Sequence, residues 1–88
     1  MKMIICILQD SDKDEVATAL NKAGFPVTLL PSTGAYFRRG NATMMTGVGD
    51  DKVETAIQII RDHVREPEEA GMKRATLFVL NVDRFQQV

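Results

Sequence analysis

Residues 2–9, Lys-Met-Ile-Ile-Cys-Ile-Leu-Gln, are apolar on both alternating faces. Met3, Ile5 and Ile7 point one way, and Ile4, Cys6 and Leu8 the other, which predicts a strand covered on both sides. The acidic stretch 10–15 follows. Ser11 with Asp14 or Glu15 reads as a helix start, and acidic residues suit the positive end of a helix dipole. Val16, Ala19, Leu20 and Ala23 then form one stripe at three- and four-residue spacing, stopped by Gly24. Pro26 cannot donate a ladder hydrogen bond, so it marks a strand's first residue or an edge. Residues 27–30 read as a second strand, 32–41 as a loop or hairpin tip, and 42–48 as a third strand. Asp51 and Glu54 open a second helix with the stripe Val53, Ile57, Ile60 and Val64. Glu54, Gln58, Arg61 and Arg65 fall on its wet side. Pro67 and Gly71 bracket a short loop, and 74–82 is the last strand.

The order β-α-β-β-α-β predicts an α+β, ferredoxin-like domain, with a four-stranded antiparallel sheet and both helices on one face. Two helices cover only one face of such a sheet. Yet the first strand is apolar on both, and in the last Leu77 and Val79 face one side while Phe78, Leu80 and Val82 face the other. Leaving several hundred Å2 of aliphatic surface wet forfeits roughly 10 kcal/mol at about 25 cal/mol per Å2. Patches of that size normally mark interfaces. The pattern therefore predicts a homo-oligomer formed across the open sheet face. The alternative is that C-terminal residues or the 32–41 loop fold back over it.

Length and composition narrow the class. Eighty-eight residues at 44% hydrophobic and 26% charged fit one small domain, 1–88, and exclude disorder. A net charge of −1 lacks the positive field expected of a protein that binds nucleic-acid polymers. It leaves room for a local basic pocket. A single cysteine, Cys6, makes neither an internal disulfide nor a paired-thiol metal site, and suits a reducing cytosol. The apolar run 3–8 is too short to cross a membrane, and no small-residue cleavage site follows it. The expectation is a cytoplasmic protein with no membrane partner.

The 32–41 segment gathers two hydroxyls, two glycines, Tyr36, Phe37, Arg38, Arg39 and Asn41. Aromatic faces stack purines, arginine pairs phosphate, and glycine lets backbone N–H groups approach an anion. That composition fits a nucleotide site; it also fits a hairpin tip in which Arg39-Gly40-Asn41 is turn chemistry. Catalytic constellations are thin. His63, the one histidine, reads as a surface or interface residue, and Cys6 as a core thiol. Asp10, Asp12, Asp14 and Glu15 read as a solvated helix cap rather than a metal cluster, as do Asp50 and Asp51. No phosphate-binding glycine loop and no nucleophile elbow is present. RNA-recognition domains of this architecture need aromatics on the first and third strands, and there are none. No metal and no cofactor is expected.

Several motifs together resemble a known family. They are Met1-Lys2-Met3-Ile4-Ile5, Gln9-Asp10-x-Asp12, Thr33-Gly34, Arg38-x-Gly40-Asn41-x-Thr43, Gly47-Val48-x-Asp50-Asp51-x-Val53 and Phe78-Val79-x-x-x-Val82-Asp83-x-Phe85-x-Gln87. In combination they are similar to the PII-like cyclic-di-AMP receptors, signalling relatives of the nitrogen regulatory PII proteins. The resemblance implies a non-catalytic homotrimer that holds cyclic di-AMP between subunits and signals to an unknown downstream protein. By position it implies ligand contacts from Thr28, from a loop wall of Ala35, Tyr36 and Phe37, from Asn41 and Gly47, and from Gln87. Arg38 and Arg39 would be phosphate contacts.

The chain departs from the family at three places. The ligand-binding arginine early in the second strand falls at Pro26, its Asn neighbour falls at Gly24, and the loop before the last strand is cut to 67–73. A lost guanidinium–phosphate contact is worth about 1.5–3 kcal/mol, or ten- to a hundredfold in affinity. The alternative reading is thus a trimeric interaction module that has lost the ligand.

Overall fold

In the computed structural model, which describes residues 1–30, 40–65 and 74–88, the predicted order of elements is present. β1 spans Lys2–Gln9, α1 Lys13–Lys22, β2 Val27–Leu30, β3 Asn41–Val48, α2 Val53–His63 and β4 Ala75–Asn81. The strands form one sheet in the order β2-β3-β1-β4, every neighbouring pair antiparallel. Each helix connects two strands that run the same way and are separated by a third. This is the ferredoxin-like arrangement.

The alternation along β1 decides which face is packed. Ile4, Cys6 and Leu8 are buried with Met44 and Val48 of β3, against Val16 and Leu20 of α1 and Ala56 and Ile60 of α2. Ala56, which the hydrophobic spacing of α2 does not mark, is fully buried in its stripe. A small side chain adds little hydrophobic signal but lets the helix approach the sheet. Val53 and Ile57, at the margin of the same stripe, are half-buried.

Local chemistry explains where elements stop. Gly24 has φ of +90°, its N–H reaches the Asn21 carbonyl at 3.0 Å, and the Phe25 N–H reaches the Leu20 carbonyl at 2.9 Å. This paired closure needs a left-handed residue, and glycine supplies it without a Cβ clash. Phe25 and Leu20 both enter the core, which seals the helix end. Pro26 immediately precedes edge strand β2, where no ladder N–H is required of it. Its carbonyl accepts the Thr46 hydroxyl at 2.7 Å.

Both helix starts differ from the capping expected. α1 and α2 are each led in by a 3-10 turn, Asp10–Asp12 and Asp50–Lys52, with no side-chain cap hydrogen bond. The acidic cluster is not uniformly solvated either: Asp12 is completely buried. Its Oδ1 accepts Arg65 Nε at 2.8 Å, and its Oδ2 accepts the Arg65 backbone N–H and Gln9 Nε2, each at 3.3 Å. Buried carboxylates need such partners. Asp12 is a structural tie between the β1–α1 turn and the end of α2.

Candidate functional site

The face of the sheet turned away from the helices is set by register. Met3, Ile5 and Ile7 lie beside Gly47, Met45 and Thr43 of β3 on one side, and beside Leu80, Phe78 and Thr76 of β4 on the other. Thr28 pairs with Met45 and Leu30 with Thr43. The face is mainly aliphatic, as its sequence pattern predicts. Phe78 is 40% and Leu80 47% exposed. The C-terminal residues do not screen these two side chains, and Phe85 of that tail is itself 63% exposed. A fold-back of the 32–41 loop falls almost wholly outside the described residues.

Three of the ligand residues implied by the resemblance lie on this face. Thr28 is exposed on edge strand β2, Asn41 opens β3 opposite Gln9, and Gly47 sits near the far end of β3 opposite Met3. Asn41 is placed by its neighbour: Gly40, at φ +90°, accepts the Asp10 N–H at 2.7 Å. Gly47 is approached closely by Met1, whose Cε would stand 2.6 Å from any Cβ added there. Met1 is held by its ammonium, 2.9 Å from Asp50. The Asp50 carboxyl lies below the usual range, chiefly through its hydrogen bond and charge contact with that ammonium. The Met1 carbonyl accepts the Val82 N–H at 3.1 Å, so the C-terminal tail leaves the sheet beside Gly47. Gln87 is exposed on that tail. Ala35, Tyr36, Phe37, Arg38 and Arg39 lie outside the described residues, as does the 67–73 loop.

One polar group on this face is not among the expected ligand residues. Thr43 is 1% exposed, and among the described residues its hydroxyl has no hydrogen-bond partner. Thr43 belongs to the family-like motif Arg38-x-Gly40-Asn41-x-Thr43, but only the register shows it between Asn41 and Met45 on the side turned away from the helices.

The remaining reactive groups have structural explanations. His63 donates from Nδ1 to the Ile59 carbonyl at 2.8 Å, closing the last turn of α2. Burial pushes the Cys6 thiol up to about 12, so it is a protonated core group at neutral pH. Among the described residues no cluster of three His, Cys, Asp or Glu could hold a metal ion, and no helix is long and apolar enough to cross a membrane. A groove of about 260 Å3 lies between α2 and β4, with Ile57, Val64 and Leu77 in its walls and Arg61 and Arg74 beside them. Among the described residues, none of the candidate ligand residues lines it.

Fold and face together define a small ferredoxin-like domain in which Thr28, Asn41 and Gly47 share the sheet surface turned away from its helices. The model of the cyclic-di-AMP receptor family matches residues 1–71, and the chain belongs to that family. Among solved structures it is similar to a functionally unknown protein from Pediococcus pentosaceus ATCC 25745. The two are 28% identical with a TM-score of 0.80, over 99% of this chain and 96% of that one.

Proposed function

We propose that this chain is a cytoplasmic signalling receptor that acts as a single domain within residues 1–88. It binds cyclic di-AMP, or a related adenine nucleotide, in clefts between the subunits of a homotrimer. Family membership supports cyclic-di-AMP signalling as the role. The observation that carries the site is the shared placement of Thr28, Asn41 and Gly47 on the uncovered aliphatic face. Copies packed over Ile5, Phe78 and Leu80 would bury that surface and bring a neighbour to the same residues. Tyr36 and Phe37 would stack an adenine, Ala35 would complete the loop wall, Arg38 and Arg39 would meet phosphate, and Gln87 would close the cleft from the tail. The chain binds and reports; it does not catalyse. Its output is a downstream protein.

A second reading, a trimer that has lost the ligand, is favoured by one feature. Pro26 offers neither charge nor N–H where the family carries its arginine, and its carbonyl is already engaged by Thr46. Calorimetric titration of the purified chain with cyclic di-AMP, ADP and ATP separates the two. Heat that saturates with one nucleotide supports the receptor. No heat from any of them at about 100 µM, near the weak end of useful affinity, leaves the interaction module.

A further inference from the structure

The Thr43 hydroxyl is enclosed and, among the described residues, unpaired. Buried polar groups nearly always have partners, because leaving one unmade costs the full desolvation of that group. Valine has almost the same shape without the oxygen, so a hydroxyl that never met a partner would only weaken the sheet.

Its position says where the partner comes from. Asn41, Thr43, Met45 and Gly47 succeed one another along β3 on the face turned away from the helices. Thr28 stands opposite Met45, one diagonal step from Thr43. Asn41 and Gly47 are roughly 20 Å apart at the rise of a strand. A single nucleotide laid along β3 from Asn41 toward Gly47 would pass over Thr43.

We infer that the Thr43 hydroxyl is a ligand contact on the floor of the nucleotide site, satisfied when the nucleotide is bound; this rests on the receptor reading above. A hydroxyl rotates to suit its partner and can donate to a phosphate oxygen or to an adenine ring nitrogen. Access takes a side-chain movement on the face, for which unbranched, adaptable Met45 next to it is well suited.

The test uses Thr43→Val and Thr43→Ser beside the unaltered chain, with cyclic di-AMP titrated calorimetrically and ligand-free thermal melts run in parallel. Thr43→Val binds about three- to tenfold more weakly, the loss expected for one hydrogen bond. It melts no lower than the unaltered chain without ligand. Thr43→Ser, which keeps the oxygen, keeps most of the affinity. Undiminished binding by Thr43→Val overturns the inference and leaves the receptor reading intact. So does an equal loss in both variants, which would trace to the methyl group, or a lower ligand-free melt for Thr43→Val, which would mean a partner within the free chain. No binding by the unaltered chain overturns the receptor reading, and the Thr43 contact with it.

Discussion

Arg65 Nε stands 2.8 Å from Asp12 Oδ1 across 53 positions of sequence. The two ends differ in kind: the Asp12 side chain is fully buried, while the Arg65 side chain is 65% exposed. Arg65 Nη2 also donates to the Ser11 carbonyl at 2.8 Å, and Gln9 Nε2 to the Arg65 carbonyl at 3.1 Å. One residue from this knot, the Asp10 N–H holds Gly40. The turn after β1 therefore fixes both the end of α2 and the entry to β3, where Asn41 stands.

Removing Asp12 should be felt throughout that corner. Asp12→Ala strips the acceptor from three donors and is expected to cost about 1–3 kcal/mol of stability. Urea denaturation would measure it as a lower midpoint with an unchanged slope. Arg65→Ala should also lower the midpoint, because it leaves the carboxylate buried with fewer donors.

Gly24 is a second position with a forecast sign. An alanine there meets nothing within 4 Å, so any penalty comes from the backbone at φ +90°. Gly24→Ala should cost about 1–2 kcal/mol through left-handed strain, read as a lower melting temperature.

The Cys6 thiol should be silent in the folded chain. Its value is raised from 9.0 to about 12 by burial, so the folded state favours the protonated form. The stability this gives is complete below 9 and declines as pH rises from there toward 12. A thiol-reactive dye at about pH 8 should label the chain only once urea unfolds it. Labelling at the same rate without urea would contradict the buried placement.

At the acid end the sign reverses. The Asp50 carboxyl is depressed by the chain's own ammonium, so that pair stabilises the fold above the ordinary carboxylate value of 3.8 and is lost as pH falls below it. Asp50→Asn should flatten this part of the acid limb of a stability–pH curve.

Much of this architecture is legible in the sequence, for local reasons. β1 declares itself by being apolar on both faces, Gly24 by its place after the α1 stripe, and β2 by the proline before it. The apolar open face follows from counting helices against sheet surfaces. What sequence reasoning misses is decided at long range. Asp12 sits among acidic neighbours and reads as solvated, since its partner is far away along the chain. The Thr43 hydroxyl is conspicuous only once register puts it between Asn41 and Met45. Ala56 carries too little hydrophobic signal to mark a buried centre. Among the ligand residues, Thr28, Asn41 and Gly47 share one face because strand alternation and register are strict.

The open face gives the most direct variants. Phe78→Glu and Leu80→Glu place charge on side chains that are already about half exposed in one chain, so a lone subunit should tolerate them. Packed against another copy, the same charges would be buried without a partner and should drive subunits apart.

Sedimentation equilibrium at micromolar concentration, with and without cyclic di-AMP, tests the central claim most directly. The proposed receptor sediments at three times the chain mass, is further stabilised by the nucleotide, and falls to the chain mass in Phe78→Glu. A chain that sediments as a single subunit in every case, its Phe78 and Leu80 surface open to water, would contradict it.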